Sequence, residues 1–142
     1  PNQIDSLCAC FKDSKNQIAT LVKQINQSQE LSNPNSPKVV LGAQQQAIYF
    51  SRAAIPFFRG EPIENWLQKH TYYKHIGIYG YRKEVLANIT KLAVSGLEKA
   101  EGLEQLRWIE NGYRIQTALT NTESWAIDTP EDLQNLLKHK VN

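Results

Sequence analysis

The stretch Tyr72-Tyr73-Lys74-His75-Ile76-Gly77-Ile78-Tyr79-Gly80-Tyr81-Arg82 decides how the rest of the chain is read. It has no proline, is rich in tyrosine and isoleucine, and alternates with a period of two, which predicts a β-strand. Successive side chains of a strand point to opposite faces. Ile76 and Ile78 therefore share one face, the natural core face, while Tyr73, His75, Gly77, Tyr79 and Tyr81 share the other. Glycine inside a strand costs stability and often marks a place where a ligand or another backbone comes close. An imidazole and a phenol on either side of Gly77 would form a shelf suited to a polyhydroxylated ligand. The competing expectation is a histidine and tyrosines half-buried beneath a loop or helix. Periodicity does not separate the two.

Working outward, Lys83 to Leu92 reads as a helix with Val85, Leu86, Ile89 and Leu92 on its buried side. Ser95-Gly96-Leu97-Glu98 has the form of a capping box, in which Ser95 and Glu98 satisfy each other's backbone N–H groups. Leu103, Leu106 and Ile109 recur at three-residue spacing up to Asn111-Gly112, a helix stop. With those three facing the core, Glu104 and Gln105 are expected to rotate away from it. Tyr113 to Leu119 is a strand. Trp125-Ala126-Ile127 leads into Asp128-Thr129-Pro130-Glu131-Asp132, where Thr129 caps a last helix packed through Leu133, Leu136 and Leu137. Asp128 is then left at a strand-to-helix junction, the place where open α/β sheets hold ligands. Its plainer role is a turn before a helix.

Before the central strand, Pro1 to Phe11 reads as a helix with Ile4, Leu7 and Phe11 on one stripe and Asn2 available as its cap. Ile18 to Ile25 is a strand. Residues 26–37 are polar and end in Asn33-Pro34-Asn35-Ser36-Pro37, which predicts a loop. Lys38 to Leu41 and Ala47 to Arg52 are expected to pair as a hairpin, leaving Arg52 at a strand end just before Ile55-Pro56. Residues 57–71 are irregular apart from a helical turn around Trp66. The whole is an α/β domain, residues 1–142, without internal repeats.

Composition narrows the classes of function. A chain of 142 residues is one domain's worth and can bury a core. It is 41% hydrophobic and 21% charged, as in ordinary soluble proteins. The net charge of +2 arises from 16 Lys+Arg against 14 Asp+Glu, scattered rather than gathered into a basic stripe, so no nucleic-acid partner is expected. No apolar run approaches a membrane span, so no membrane partner is expected. Cys8 and Cys10 have no companion ligands, which fits neither a zinc site nor a disulfide framework and suits a reducing, cytoplasmic setting. The chain starts at Pro1 and contains no methionine, from which a fragment is expected.

Four segments together resemble one enzyme family. They are His75 to Arg82, Leu103-Glu104-Gln105-Leu106-Arg107, Asp128-Thr129-Pro130-Glu131-Asp132-Leu133, and Ala47-Ile48-Tyr49-Phe50-Ser51-Arg52 with Ile55-Pro56. In order and spacing they look like bacterial 3-deoxy-manno-octulosonate cytidylyltransferase, the CMP-Kdo synthetase family. Pro1 to Asp5 resembles the residues just after that family's Gln-Gly-Asp motif, which would make the chain roughly the C-terminal 60% of such an enzyme. The family's phosphate loop and the aspartate of Gln-Gly-Asp, a magnesium ligand, do not occur here. Gly96 also departs from the family's usual residue.

The resemblance implies the C-terminal part of a nucleotide-diphospho-sugar transferase-like mixed sheet flanked by helices. It implies transfer of a cytidylyl group from CTP to the sugar acid Kdo, giving CMP-Kdo and pyrophosphate for lipopolysaccharide assembly, with Mg2+ as cofactor and a homodimer as the assembly. Arg52 would bind the sugar's carboxylate, His75 and Tyr79 would contact the sugar, and Glu104 and Gln105 would bond its hydroxyls. Asp128 would be the magnesium ligand remaining in this chain, and the chain alone is expected to be inactive. A CMP-sialic acid synthetase is a related alternative, against which the Leu-Glu-Gln-Leu-Arg and Asp-Thr-Pro-Glu-Asp motifs speak. A non-catalytic dimerisation or sugar-binding module is the other.

Overall fold

The computed structural model describes residues 2–122. The expected strand at Trp125–Ile127, the last helix with its Thr129 cap, and Asp128 lie outside the described residues. Along the chain come α1 (Asn2–Cys10), β1 (Ile18–Gln24), α2 (Ser28–Ser32), β2 (Lys38–Leu41) and β3 (Ala47–Ser51). A 3-10 turn (Ile63–Asn65) then runs into α3 (Trp66–Lys69). It is followed by β4 (Tyr73–Tyr81), α4 (Lys83–Ile89), α5 (Gly96–Glu101), α6 (Gln105–Glu110) and β5 (Ile115–Leu119).

Among the described residues five strands form one mixed sheet in the order β3-β2-β4-β1-β5, with the tyrosine-rich β4 at its centre. β1 runs antiparallel to β4 and parallel to β5, and β2 runs antiparallel to both β3 and β4. The expected hairpin of β2 and β3 is present. Its turn reaches the far edge of the sheet, where Thr117 donates to the Gln45 carbonyl from both its backbone N–H (3.0 Å) and its hydroxyl (2.6 Å).

Alternation in β4 sorts its side chains to the two faces as the sequence pattern predicts, but both faces are covered. Ile76 and Ile78 pack with Leu7, Ala19 and Leu21 beneath α1. Tyr73, Tyr79 and Tyr81 lie against the larger core of Ile18, Val22, Phe50, Leu106, Trp108 and Ile115, on the side of α4 to α6. A third cluster joins Ile25, Leu31, Trp66 and Tyr72.

Two segments differ from expectation. Residues 26–37 are not loop throughout, because Leu31 is fully buried and its turn closes as α2. That turn is held to the sheet by the Lys74–Glu30 ion pair and by Lys38 Nζ donating to the Asn33 carbonyl at 2.7 Å. The capping box at Ser95 forms as expected, but its helix stops at Glu101. Gly102 adopts the left-handed φ of 62° that glycine tolerates, and α6 starts in a new direction.

β4 also carries a register break. Thr20 of β1 pairs with Tyr79 while the next residue, Leu21, pairs with Ile76. Gly77 and Ile78 are therefore left without partners on β1, a bulge two residues deep.

The two glycines of this strand make a stability test. A Cβ on Gly80 would come within 2.7 Å of the Phe11 ring, which the turn after α1 lays over it, whereas one on Gly77 meets nothing within 4 Å. Gly80→Val should cost about 1–3 kcal/mol by overpacking, and Gly77→Val should stay within about 0.5 kcal/mol of the parent. Urea midpoints with unchanged slopes read the difference. Equal shifts would show that α1 does not press on β4 as described.

Candidate functional site

The bulge changes the geometry around His75 and Tyr79. In a regular strand residues four apart stand about 13 Å from one another. Here the two rings lie 5.2 Å apart, centroid to centroid, so the expected gap between them over Gly77 is closed. Gly77 is exposed in the bulge instead. Phe50 meets His75 edge-on at 5.2 Å, and Trp108 of α6 meets Tyr79 edge-on at 5.1 Å. Of the two expectations for this face, enclosure beneath a helix describes the rings themselves.

That enclosure sets their protonation. Burial pulls the His75 pKa from 6.5 down to about 4, so the ring is neutral near pH 7. Burial also raises the Tyr79 phenol well above its usual value, with lesser contributions from Tyr81 and the Glu104 charge. Both rings therefore act through hydrogen bonds rather than charge. Thr20, fully buried, is His75's bonding partner, with Oγ1 2.9 Å from Nε2.

α6 brings the next pair. Glu104 is exposed at its start and lies 3.3 Å from Arg107, which is itself held by a two-pronged pair with Glu98. Gln105 differs from expectation. Only 5% of it is accessible, and it is turned into the core instead of away from it. The reason is that α6 begins afresh after Gly102, so its inward stripe comprises Gln105, Leu106 and Trp108. Among the described residues, two buried polar atoms have no hydrogen-bond partner, Tyr79 Oη and Gln105 Nε2. An unmet buried polar group costs about 1–3 kcal/mol, so it calls for a ligand or water.

Arg52 stands at the end of β3, as expected, and ties three segments together. Its Nε donates to the Glu101 carbonyl (2.7 Å), Nη1 to the Pro34 carbonyl (2.9 Å) and Nη2 to the Gly102 carbonyl (3.3 Å). The Glu101 carboxylate takes the Arg52 backbone N–H (2.9 Å) and the Ser51 hydroxyl (2.7 Å). Burial alone would raise the Glu101 pKa. These bonds outweigh it and hold the carboxyl below its usual range. Beside them the buried Lys38 is pushed down to about 8, chiefly by desolvation and then by the Arg52 charge.

The fold thus brings His75 and Tyr79 of β4 together, packs Trp108 of α6 (the helix that carries Gln105) against Tyr79, and sets Arg52 against the turn that leads into α6. Asp128 is outside the described residues. Among the described residues no three His, Cys, Asp or Glu side chains converge as a metal site. Thr20, Glu101 and Trp108 are neighbours of the site that the sequence reading does not anticipate. Thr20 does leave a signal, a hydroxyl at an inward position between Ile18 and Val22.

Known proteins resemble this arrangement closely. A cytidylyltransferase family model matches residues 1–115. The chain belongs to the cytidylyltransferase family. It is 51% identical to the 3-deoxy-manno-octulosonate cytidylyltransferase of Parabacteroides distasonis over 100% of this chain and 58% of that protein. To the enzyme of the same name from Bacteroides thetaiotaomicron it is 54% identical, over 95% of this chain and 55% of the relative. A solved CMP:2-keto-3-deoxy-manno-octonic acid synthetase complexed with CTP superposes with a TM-score of 0.86 at 35% identity. That match covers 99% of this chain and 56% of the other. The chain therefore spans little more than half the length of these relatives.

His75 links site and stability. Its folded pKa of about 4 lies below the unfolded value of 6.5. Its contribution is therefore complete above pH 6.5 and is lost as pH falls towards 4, where the unfolded chain takes up a proton that the folded one refuses. The loss should approach roughly 3 kcal/mol. His75→Gln should flatten this limb of the stability profile in urea titrations at pH 7, 6 and 5. An unchanged limb would mean that His75 is not buried neutral.

Proposed function

We propose that this chain supplies the sugar-acid side of an enzyme that transfers a cytidylyl group from CTP to Kdo, releasing pyrophosphate. The observation that carries the reading is the pair of buried, unpartnered polar atoms, Tyr79 Oη of β4 and Gln105 Nε2 of α6, two elements that meet through the Tyr79 and Trp108 rings. A sugar with many hydroxyls meets both, and the neutral imidazole of His75 adds a further hydrogen-bonding group. Glu104 accepts from a hydroxyl at the exposed end. Arg52 keeps one uncommitted N–H on each terminal nitrogen among the described residues, a fork that fits the carboxylate of a sugar acid.

In this reading the anomeric hydroxyl of the sugar attacks the α-phosphate of CTP. The residues of this chain bind and orient the nucleophile, and contribute by alignment more than by covalent chemistry. Magnesium, when bound, would neutralise charge on the phosphates, and Asp128 is the carboxylate this chain would offer it. Among the described residues no helix is long and apolar enough to cross a membrane.

Glu104→Gln keeps the shape and removes the charge. Losing one charge-assisted hydrogen bond, about 1.5–3 kcal/mol, should lower kcat/KM for Kdo roughly tenfold to a few hundredfold. The KM for CTP should barely move, and chelation of magnesium should abolish turnover. Steady-state kinetics at the full length of the relatives, varying each substrate in turn, decides it. A CTP effect as large as the Kdo effect would place Glu104 elsewhere in the reaction.

The enzyme is also proposed to work as a homodimer. Ile48 on the edge strand β3 is 53% exposed and Phe57 in the loop after it is 75% exposed, apolar surface that pairing would remove from water. Light scattering at micromolar concentration should give twice the chain mass. A monomer at high concentration would rule the pairing out.

A further inference from the structure

The Thr20 hydroxyl sits where one side chain and two backbone carbonyls meet. Its Oγ1 is 2.9 Å from His75 Nε2, 2.9 Å from the Ile78 carbonyl and 3.3 Å from the Ile76 carbonyl. It lies at the register break between β1 and β4, and no part of the residue reaches solvent. A hydroxyl has one proton to give and lone pairs to accept with, whereas a carbonyl oxygen only accepts. The single proton is therefore drawn to the carbonyls, the shorter contact being to Ile78. What remains towards His75 is a lone pair, so Nε2 must be the nitrogen that carries the ring proton.

We propose that Thr20 is a positioning residue of the sugar-acid site, acting through His75 and resting on the reading of that site given above. Its hydroxyl fixes His75 as the Nε2–H tautomer and leaves Nδ1 as the ring's hydrogen-bond acceptor, open to a sugar hydroxyl. The same hydroxyl stitches the Ile76 and Ile78 carbonyls of the bulge, and so holds the His75 and Tyr79 rings 5.2 Å apart instead of a full strand spacing. His75 is thereby a selective contact: it accepts from a hydroxyl at Nδ1 and has no proton to offer there. Among the described residues, Nδ1 has no other hydrogen-bond partner.

The test uses the protein at the full length of its relatives, labelled with 15N-histidine, with His75→Gln assigning the signal. His75 should show a protonated Nε2 and a bare Nδ1 at neutral pH. Thr20→Ser, which keeps the hydroxyl, should preserve that pattern and the sugar kinetics. Thr20→Val, which keeps the shape and removes the hydroxyl, should lose the protected Nε2–H. Its KM for Kdo should rise about tenfold, the worth of one hydrogen bond, with KM for CTP and kcat little changed. A role confined to stability would not move the nitrogen signals. Three outcomes overturn the proposal: a wild-type ring protonated on Nδ1, a valine variant with unaltered Kdo kinetics, or equal losses in the serine and valine variants. Should His75→Gln itself leave Kdo kinetics untouched, the site reading fails and this inference with it. If His75→Gln impairs Kdo use and Thr20→Val does not, only this inference fails.

Discussion

The register break between β1 and β4 is the constraint on which the site depends. β4 is the central strand, flanked by β1 and β2, and its two extra residues have to go somewhere. Gly77 goes outward to solvent and Ile78 turns beneath α1, which draws His75 and Tyr79 together and leaves one buried hydroxyl to satisfy the displaced carbonyls. A regular strand would spread the same side chains along the sheet, each facing a different part of α6. The bulge costs ladder hydrogen bonds and returns a compact, preorganised cluster. Bulges commonly serve this purpose beside binding sites.

A second arrangement orients the other wall. Gly102 turns the chain between α5 and α6, and its carbonyl and that of Glu101 are both taken by Arg52. Glu101 in turn fixes the backbone of Arg52 and the hydroxyl of Ser51. The end of β3, the Pro34 loop and the entry to α6 thus share one hydrogen-bonded junction. The Arg52 guanidinium has a structural role at this junction, because it holds the turn that leads into α6. A lysine there would keep the charge but could not bridge three carbonyls lying in different directions.

Much of this fold is legible in the sequence, because it is carried by local pattern. The alternation of β4, the hairpin of β2 and β3 and the Ser95 capping box stem from periodicity and spacing, and each is present. The features that escape depend on partners distant in the chain. The bulge needs Thr20, fifty-five residues before His75, to be recognised as its partner. One continuous stripe of Leu103, Leu106 and Ile109 would turn Gln105 outward, but α6 starts only at Gln105, with Leu103 outside it, and buries Gln105 beside Leu106 and Trp108. Leu31 folds α2 within a segment whose composition otherwise says loop. The grouping of Arg52, His75, Tyr79, Glu104 and Gln105 as one candidate site is not legible in spacing at all. It enters only through family resemblance, since no local rule joins residues on three elements.

The parallel pairing of β1 with β5 carries a consequence for how the chain is made. Ile18 lies opposite Ile115, and the β2–β3 turn is bonded to Thr117, so the first and last strands among the described residues close on each other. Such long-range closure is slow, because loop entropy has to be overcome before the contacts repay it. On a ribosome, β1 emerges well before its parallel neighbour and carries an unpaired edge of Ile18, Ala19, Thr20, Leu21 and Val22 until β5 arrives. Those five residues are wholly buried once folded. A segment wholly buried in the finished molecule is thus also one exposed to wrong partners during synthesis.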